Sequence, residues 1–98
     1  MAEPTSRREV YRVIDGERNY QEWRWPGHKH SATEFLVYID HYVKQGMLLV
    51  STQNGESGAL GQLRKIAALA VAAMEQNGAI ERAQWPSRQI GEAERNAC

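Results

Sequence analysis

Apolar positions recur along this chain at helical rather than strand spacing. In the first third, Val10, Val13 or Ile14, and Tyr20 return at roughly three- and four-residue intervals, with Gly16 weakening the middle. Phe35, Leu36, Ile39, Tyr42, Val43, Gly46, Met47 and Val50 follow i, i+3, i+4, i+7 more closely. Leu60, Leu63 and Ile66 open a third segment, and from Ile66 to Met74 every residue is apolar. No stretch alternates as a half-buried strand would. Start and stop signals frame the same three segments. Ser6-Arg7-Arg8-Glu9 and Ser31-Ala32-Thr33-Glu34 both have the S-x-x-E spacing of a capping box, in which hydroxyl and carboxylate each satisfy an orphan backbone N–H. Trp25-Pro26-Gly27 breaks the chain between the first two segments, Asn54-Gly55 marks a turn between the next two, and Gly78 suits a left-handed C-cap. The pattern predicts an all-α, three-helix hairpin-like bundle over about 6–23, 31–50 and 57–77, followed by a polar C-terminal tail.

Nine consecutive apolar residues cover the whole circumference of a helix, and two neighbours from the same chain cover only part of it. The small alanines also permit close approach. A homo-oligomer built through helix 3 is therefore expected; the competing reading is that an Ala-rich segment tolerates partial exposure. Residues 79–98 are polar apart from Ile80, Trp85 and Ile90, with Glu81, Arg82, Trp85 and Pro86 able to tuck back on the bundle. Segments 1–5 and 91–98 are expected to be flexible.

At 98 residues the chain is one domain, spanning 1–98. Lys+Arg 12 against Asp+Glu 12 leaves no basic excess, which argues against general nucleic-acid or anionic-membrane binding. Met1-Ala2-Glu3-Pro4 lacks the apolar core of a signal peptide, and the run 66–74 is far shorter than the ~20 residues that span a bilayer. A single cysteine, Cys98, makes no internal disulfide, and a cytoplasmic setting is expected.

Several residues carry chemistry. Tyr20, Trp23 and Trp25 offer stacking platforms and Arg18 and Arg24 phosphate forks, although such groups also cap small bundles. Glu34, Tyr38, His41 and Gln45 share a face of helix 2, a solvent face or the polar wall of a pocket, beside an Asp40–Lys44 i,i+4 pair. Arg64-Lys65 precedes the apolar run, where it either bridges to Glu34 or Asp40 or meets an anion. His28, His30 and His41 lack the short-spaced partners of a zinc site. Neither a phosphate-binding glycine loop nor a nucleophile motif is present.

The order Glu17-Arg18-Asn19-Tyr20-Gln21, Trp25, His30-Ser31, Glu34-Phe35-Leu36 and Glu75-Gln76-Asn77-Gly78 resembles small bacteriophage proteins related to the MazG-like all-α nucleoside triphosphate pyrophosphohydrolases. The likeness covers about residues 9–82. It implies a helical oligomer acting on nucleoside triphosphates, with Mg²⁺ held by an EExxE pattern on one helix and ExxD on the next. Here those places read Asp40-His41-Tyr42-Val43-Lys44-Gln45 and Arg64-Lys65-Ile66-Ala67. Cations standing where acids would hold magnesium turn the expectation toward a non-catalytic nucleotide-binding protein, one that sequesters a linear or cyclic nucleotide used as a signal in host antiviral defence. Its site would draw on Arg18, Tyr20, Gln21, Trp25, His30, Lys44, Arg64 and Lys65, with Glu34, Asp40 and His41 as a polar wall or metal ligands. Two alternatives stand beside it: a Mg²⁺-dependent pyrophosphohydrolase with a rearranged site, the one case needing a cofactor, and a module that inhibits a host protein through its Trp-rich loop.

Overall fold

The computed structural model describes residues 3–52 and 55–83, and these form three α-helices: α1 (Arg7–Arg24), α2 (Ala32–Thr52) and α3 (Gly55–Asn77). No strand occurs among the described residues. Ser6 caps α1 by accepting from the Glu9 N–H at 3.1 Å. The first capping box is only half made, because the Glu9 carboxylate turns to Arg12 at 2.6 and 2.9 Å instead of reaching back to Ser6. The second is complete. Ser31 Oγ accepts from the Glu34 N–H at 3.1 Å, and Glu34 Oε1 accepts from the Ser31 N–H at 2.7 Å. Gly78 closes α3 at φ 107°, a conformation open to glycine, and its N–H donates to the Met74 carbonyl. Helix α3 starts at Gly55, two residues before the predicted Ser57. The packing predicted for Trp85 and Pro86 and the flexibility predicted for 91–98 concern residues outside those described.

Helix α3 is the centre of the fold. Both α1 and α2 pack on it, and they make no helix-to-helix contact with each other. Its alanines explain this: Ala68 and Ala72 are buried, and small side chains let two neighbours approach one helix from different sides. Helix α2 turns Phe35, Ile39, Tyr42, Gly46 and Leu49 inward, its i, i+4, i+7, i+11, i+14 face. At Gly46 the approach is closest, since a Cβ built there would stand 2.8 Å from Gln62 Cγ.

The core is thin. Phe35 is the one large apolar side chain buried among the described residues. Two apolar stripes stay exposed, Leu36, Val43, Met47 and Val50 on α2 and Leu60, Leu63 and Met74 on α3. No helix is long and apolar enough to cross a membrane.

Candidate functional site

A cavity of about 290 Å³ opens where the C-terminal halves of α1 and α3 meet the α1–α2 connector. Helix α1 contributes Arg18, Gln21 and Glu22, the connector Trp25, His28 and His30, α2 Phe35, Tyr38 and Tyr42, and α3 Leu69, Ala72 and Gln76. Residues 25–31 contain Pro26 and Gly27 and form no helix, so side chains must hold the connector in place. Amides from the last turn of α3 do so. Gln76 accepts from the His30 N–H and donates to the His28 carbonyl, both at 2.9 Å, while Asn77 donates to the His30 carbonyl at 3.1 Å. A primary amide carries donor and acceptor at once, which suits it to replace a missing backbone ladder.

Held this way, the His30 ring lies 4.9 Å from Tyr38, 5.5 Å edge-on from Phe35 and 5.7 Å from His28, centroid to centroid. Trp25 is half-exposed, with the Arg24 guanidinium 5.4 Å above its ring. Gln21 is buried. Its Nε2 donates to the Lys65 carbonyl at 3.2 Å, and its Oε1 has no hydrogen-bond partner. That orientation is the correct one, because a flipped amide would set oxygen against oxygen.

Arg18 is the one Lys or Arg in the cavity wall. Its Nε donates to Glu75 at 2.5 Å and its Nη2 to Glu22 at 2.9 Å, and only 14 % of the side chain is exposed. Burial pulls its pKa down, but the hydrogen bonds it donates to Glu75 and Glu22 outweigh that and raise it, so the guanidinium stays charged. Glu34, outside the cavity, sits below the usual carboxylate range because the Ser31 N–H and hydroxyl both donate to it; nearby His30 adds a smaller effect in the same direction.

Of the residues singled out from the sequence as nucleotide-binding, Arg18, Gln21, Trp25 and His30 come together in the cavity, joined by His28 and Tyr38. The remaining candidates lie elsewhere. Tyr20 stacks on Trp23 at 5.9 Å, and both are exposed. Lys44 pairs with Asp40 at 2.9 Å on the outside of α2. Arg64 pairs with Glu17 at 2.7 Å, tying α3 to α1, rather than with Glu34 or Asp40. Lys65 is exposed and meets the site only through its backbone carbonyl. His41 packs edge-on against Tyr42. Among the described residues, no group of three or more His, Cys, Asp or Glu is arranged to hold a metal ion. Sequence reasoning missed Glu22, His28, Phe35, Tyr42, Leu69, Ala72 and Gln76 as wall residues; it set Tyr38 on a possible pocket wall, but with Glu34, His41 and Gln45, which do not line the cavity. The i, i+3, i+7 spacing of Phe35, Tyr38 and Tyr42 was the available signal for the α2 side of the wall.

Several of the residues in the motif order read from the sequence fasten the elements together: Arg18 to Glu75, Gln21 to α3, Ser31 to Glu34, and Gln76 and Asn77 to the connector. No protein-family model matches the sequence, and neither does a curated protein or a solved structure.

Proposed function

We propose that this chain is a non-catalytic nucleotide-binding protein of bacteriophage type that retains its ligand and thereby sequesters a nucleotide signal of host antiviral defence. The observation that carries the reading is the cavity: six aromatic rings, one guanidinium and two amide side chains converge on a space near the lower end of the ~300–1,000 Å³ of small-molecule sites. Retention without turnover is supported by the engagement of the acids. Glu17 is bound to Arg64, Glu22 and Glu75 to Arg18, Asp40 to Lys44, and Glu34 to the start of α2. Carboxylates so engaged would have to exchange a cation or a helix cap for a metal ion. Calorimetry against a panel of linear and cyclic nucleotides tests the proposal: heat of binding without Mg²⁺-dependent pyrophosphate release is expected. Uniform absence of heat ends it, and Mg²⁺-dependent turnover replaces it with the rearranged hydrolase.

Assembly as a homo-oligomer through α3 belongs to the same proposal. The thin core and the exposed Leu60, Leu63 and Met74, which recur on one face of α3, favour it, since a chain this small gains most by covering such a face. Native mass spectrometry reports the assembly and any retained ligand together. Exposure of Tyr20, Trp23 and Trp25 favours a second reading, in which this aromatic cluster anchors a host protein. A stoichiometric protein partner from host lysate, with no bound small molecule, would select it.

A further inference from the structure

The charges around the cavity bear on which part of a nucleotide it receives. Arg18 faces two carboxylates, Glu22 and Glu75, so one positive charge meets two negative ones and the cluster is net negative. Lys44 and Arg64, the other cations expected to hold phosphate, are paired with Asp40 and Glu17, and neither lines the cavity. A phosphate entering beside Arg18 would meet Glu22 in the same wall, and like charges at short range repel. The remaining wall is suited to a flat uncharged group. Trp25, His28, His30, Phe35, Tyr38 and Tyr42 present ring faces and edges, and base–aromatic stacking is sequence-tolerant because every base has a π-face.

We infer that the cavity is a base site: it takes the nucleobase and ribose of its ligand against the rings of Trp25, His30 and Tyr38, and leaves the phosphates outside. This rests on the nucleotide-binding reading above and assigns the end of the ligand that provides recognition.

The test compares, by calorimetry on the full chain, each 5′-nucleotide with its parent nucleoside and with sodium pyrophosphate alone. A nucleoside is expected to bind within about threefold of its nucleotide. Affinity should change less than about twofold between roughly 50 and 300 mM NaCl, since few counterions are released where phosphates are not held. Pyrophosphate should give no heat. Tyr38→Ala, at a half-exposed position, should keep the helical circular dichroism and lose at least about fivefold in nucleoside affinity, the lower end of one base stack. Binding of nucleotides without nucleosides, competition by pyrophosphate, or unchanged affinity in Tyr38→Ala overturns the base assignment and leaves nucleotide binding standing. Absence of heat from nucleosides, nucleotides and pyrophosphate alike removes both.

Discussion

Glycine in a helix interior is ordinarily a weakness, and replacing it with alanine stabilises by about 0.5–1 kcal/mol. Position 46 should reverse that sign. Gln62 lies across α2 with its stem over Gly46 and its Nε2 donating to the Tyr42 carbonyl at 2.9 Å, one turn earlier. A Cβ at 46 would stand 2.8 Å from Gln62 Cγ and 3.1 Å from its Cβ, neither of which is the free end of a flexible chain. Relief requires α2 and α3 to separate or Gln62 to rotate. Overpacking costs about 1–3 kcal/mol, and loss of the Tyr42 hydrogen bond adds about 0.5–1.5. Against the propensity gain, Gly46→Ala should destabilise by about 1–3 kcal/mol net. Gly16 in α1 provides the control, since a Cβ there meets nothing within 4 Å. Gly16→Ala should stabilise by about 0.5–1 kcal/mol. Urea unfolding followed by circular dichroism at one fixed protein concentration measures both. In a Gln62→Ala background, which removes the 2.8 Å contact, Gly46→Ala should cost less. Equal stabilisation by the two glycine substitutions, or a Gly46→Ala cost independent of residue 62, refutes the reasoning.

Three further outcomes are expected. Gln76→Leu frees the connector from α3, removing the hydrogen bonds to His30 and His28, and should cost about 1–3 kcal/mol in urea unfolding while also weakening any ligand in the cavity. Glu34 has a folded pKa below 4.5, so its contribution to stability is present above the unfolded value and is lost as pH falls from 4.5 through the folded one. Unfolding midpoints from neutral to acid pH should therefore fall less steeply in Glu34→Gln than in the parent chain, and parallel curves would count against the cap. Under the proposed assembly through α3, the parent chain should sediment as an oligomer and Leu63→Glu, which places a charge in the exposed stripe, as a single chain. A parent chain that sediments as a monomer, or an oligomer unchanged by the substitution, counts against that proposal.

Local information in the chain accounts for much of the fold. The caps Ser6 and Ser31 and the terminator Gly78 act within a few residues of themselves, so hydrogen-bonding chemistry reveals them; of the apolar stripe read on α2, Phe35, Ile39, Tyr42 and Gly46 turn inward, whereas Leu36, Val43, Met47 and Val50 stay exposed. The Asp40–Lys44 pair, four apart on one helix, was visible for the same reason. The candidate site was legible only in part. Arg18, Gln21, Trp25 and His30 stood out by residue type, but nothing in their spacing brings Tyr38 or Gln76 to the same cavity. Lys44, Arg64 and Lys65 read as a phosphate cluster because they stand where the related pattern of motifs has acids, and order along a chain carries no direction for a side chain.

Sequence by itself determined three helices, the caps that start the first two and the glycine that ends the third. Tertiary structure alone decided that α3 stands between α1 and α2, that Gln21, Gln62 and Gln76 reach backbone carbonyls on other segments, and that Arg64 meets Glu17 and not Glu34 or Asp40. The reason is one of range. Caps and helical faces depend on contacts a turn away, whereas a partner twenty or more residues distant depends on how helices cross and which rotamers the crossing leaves open.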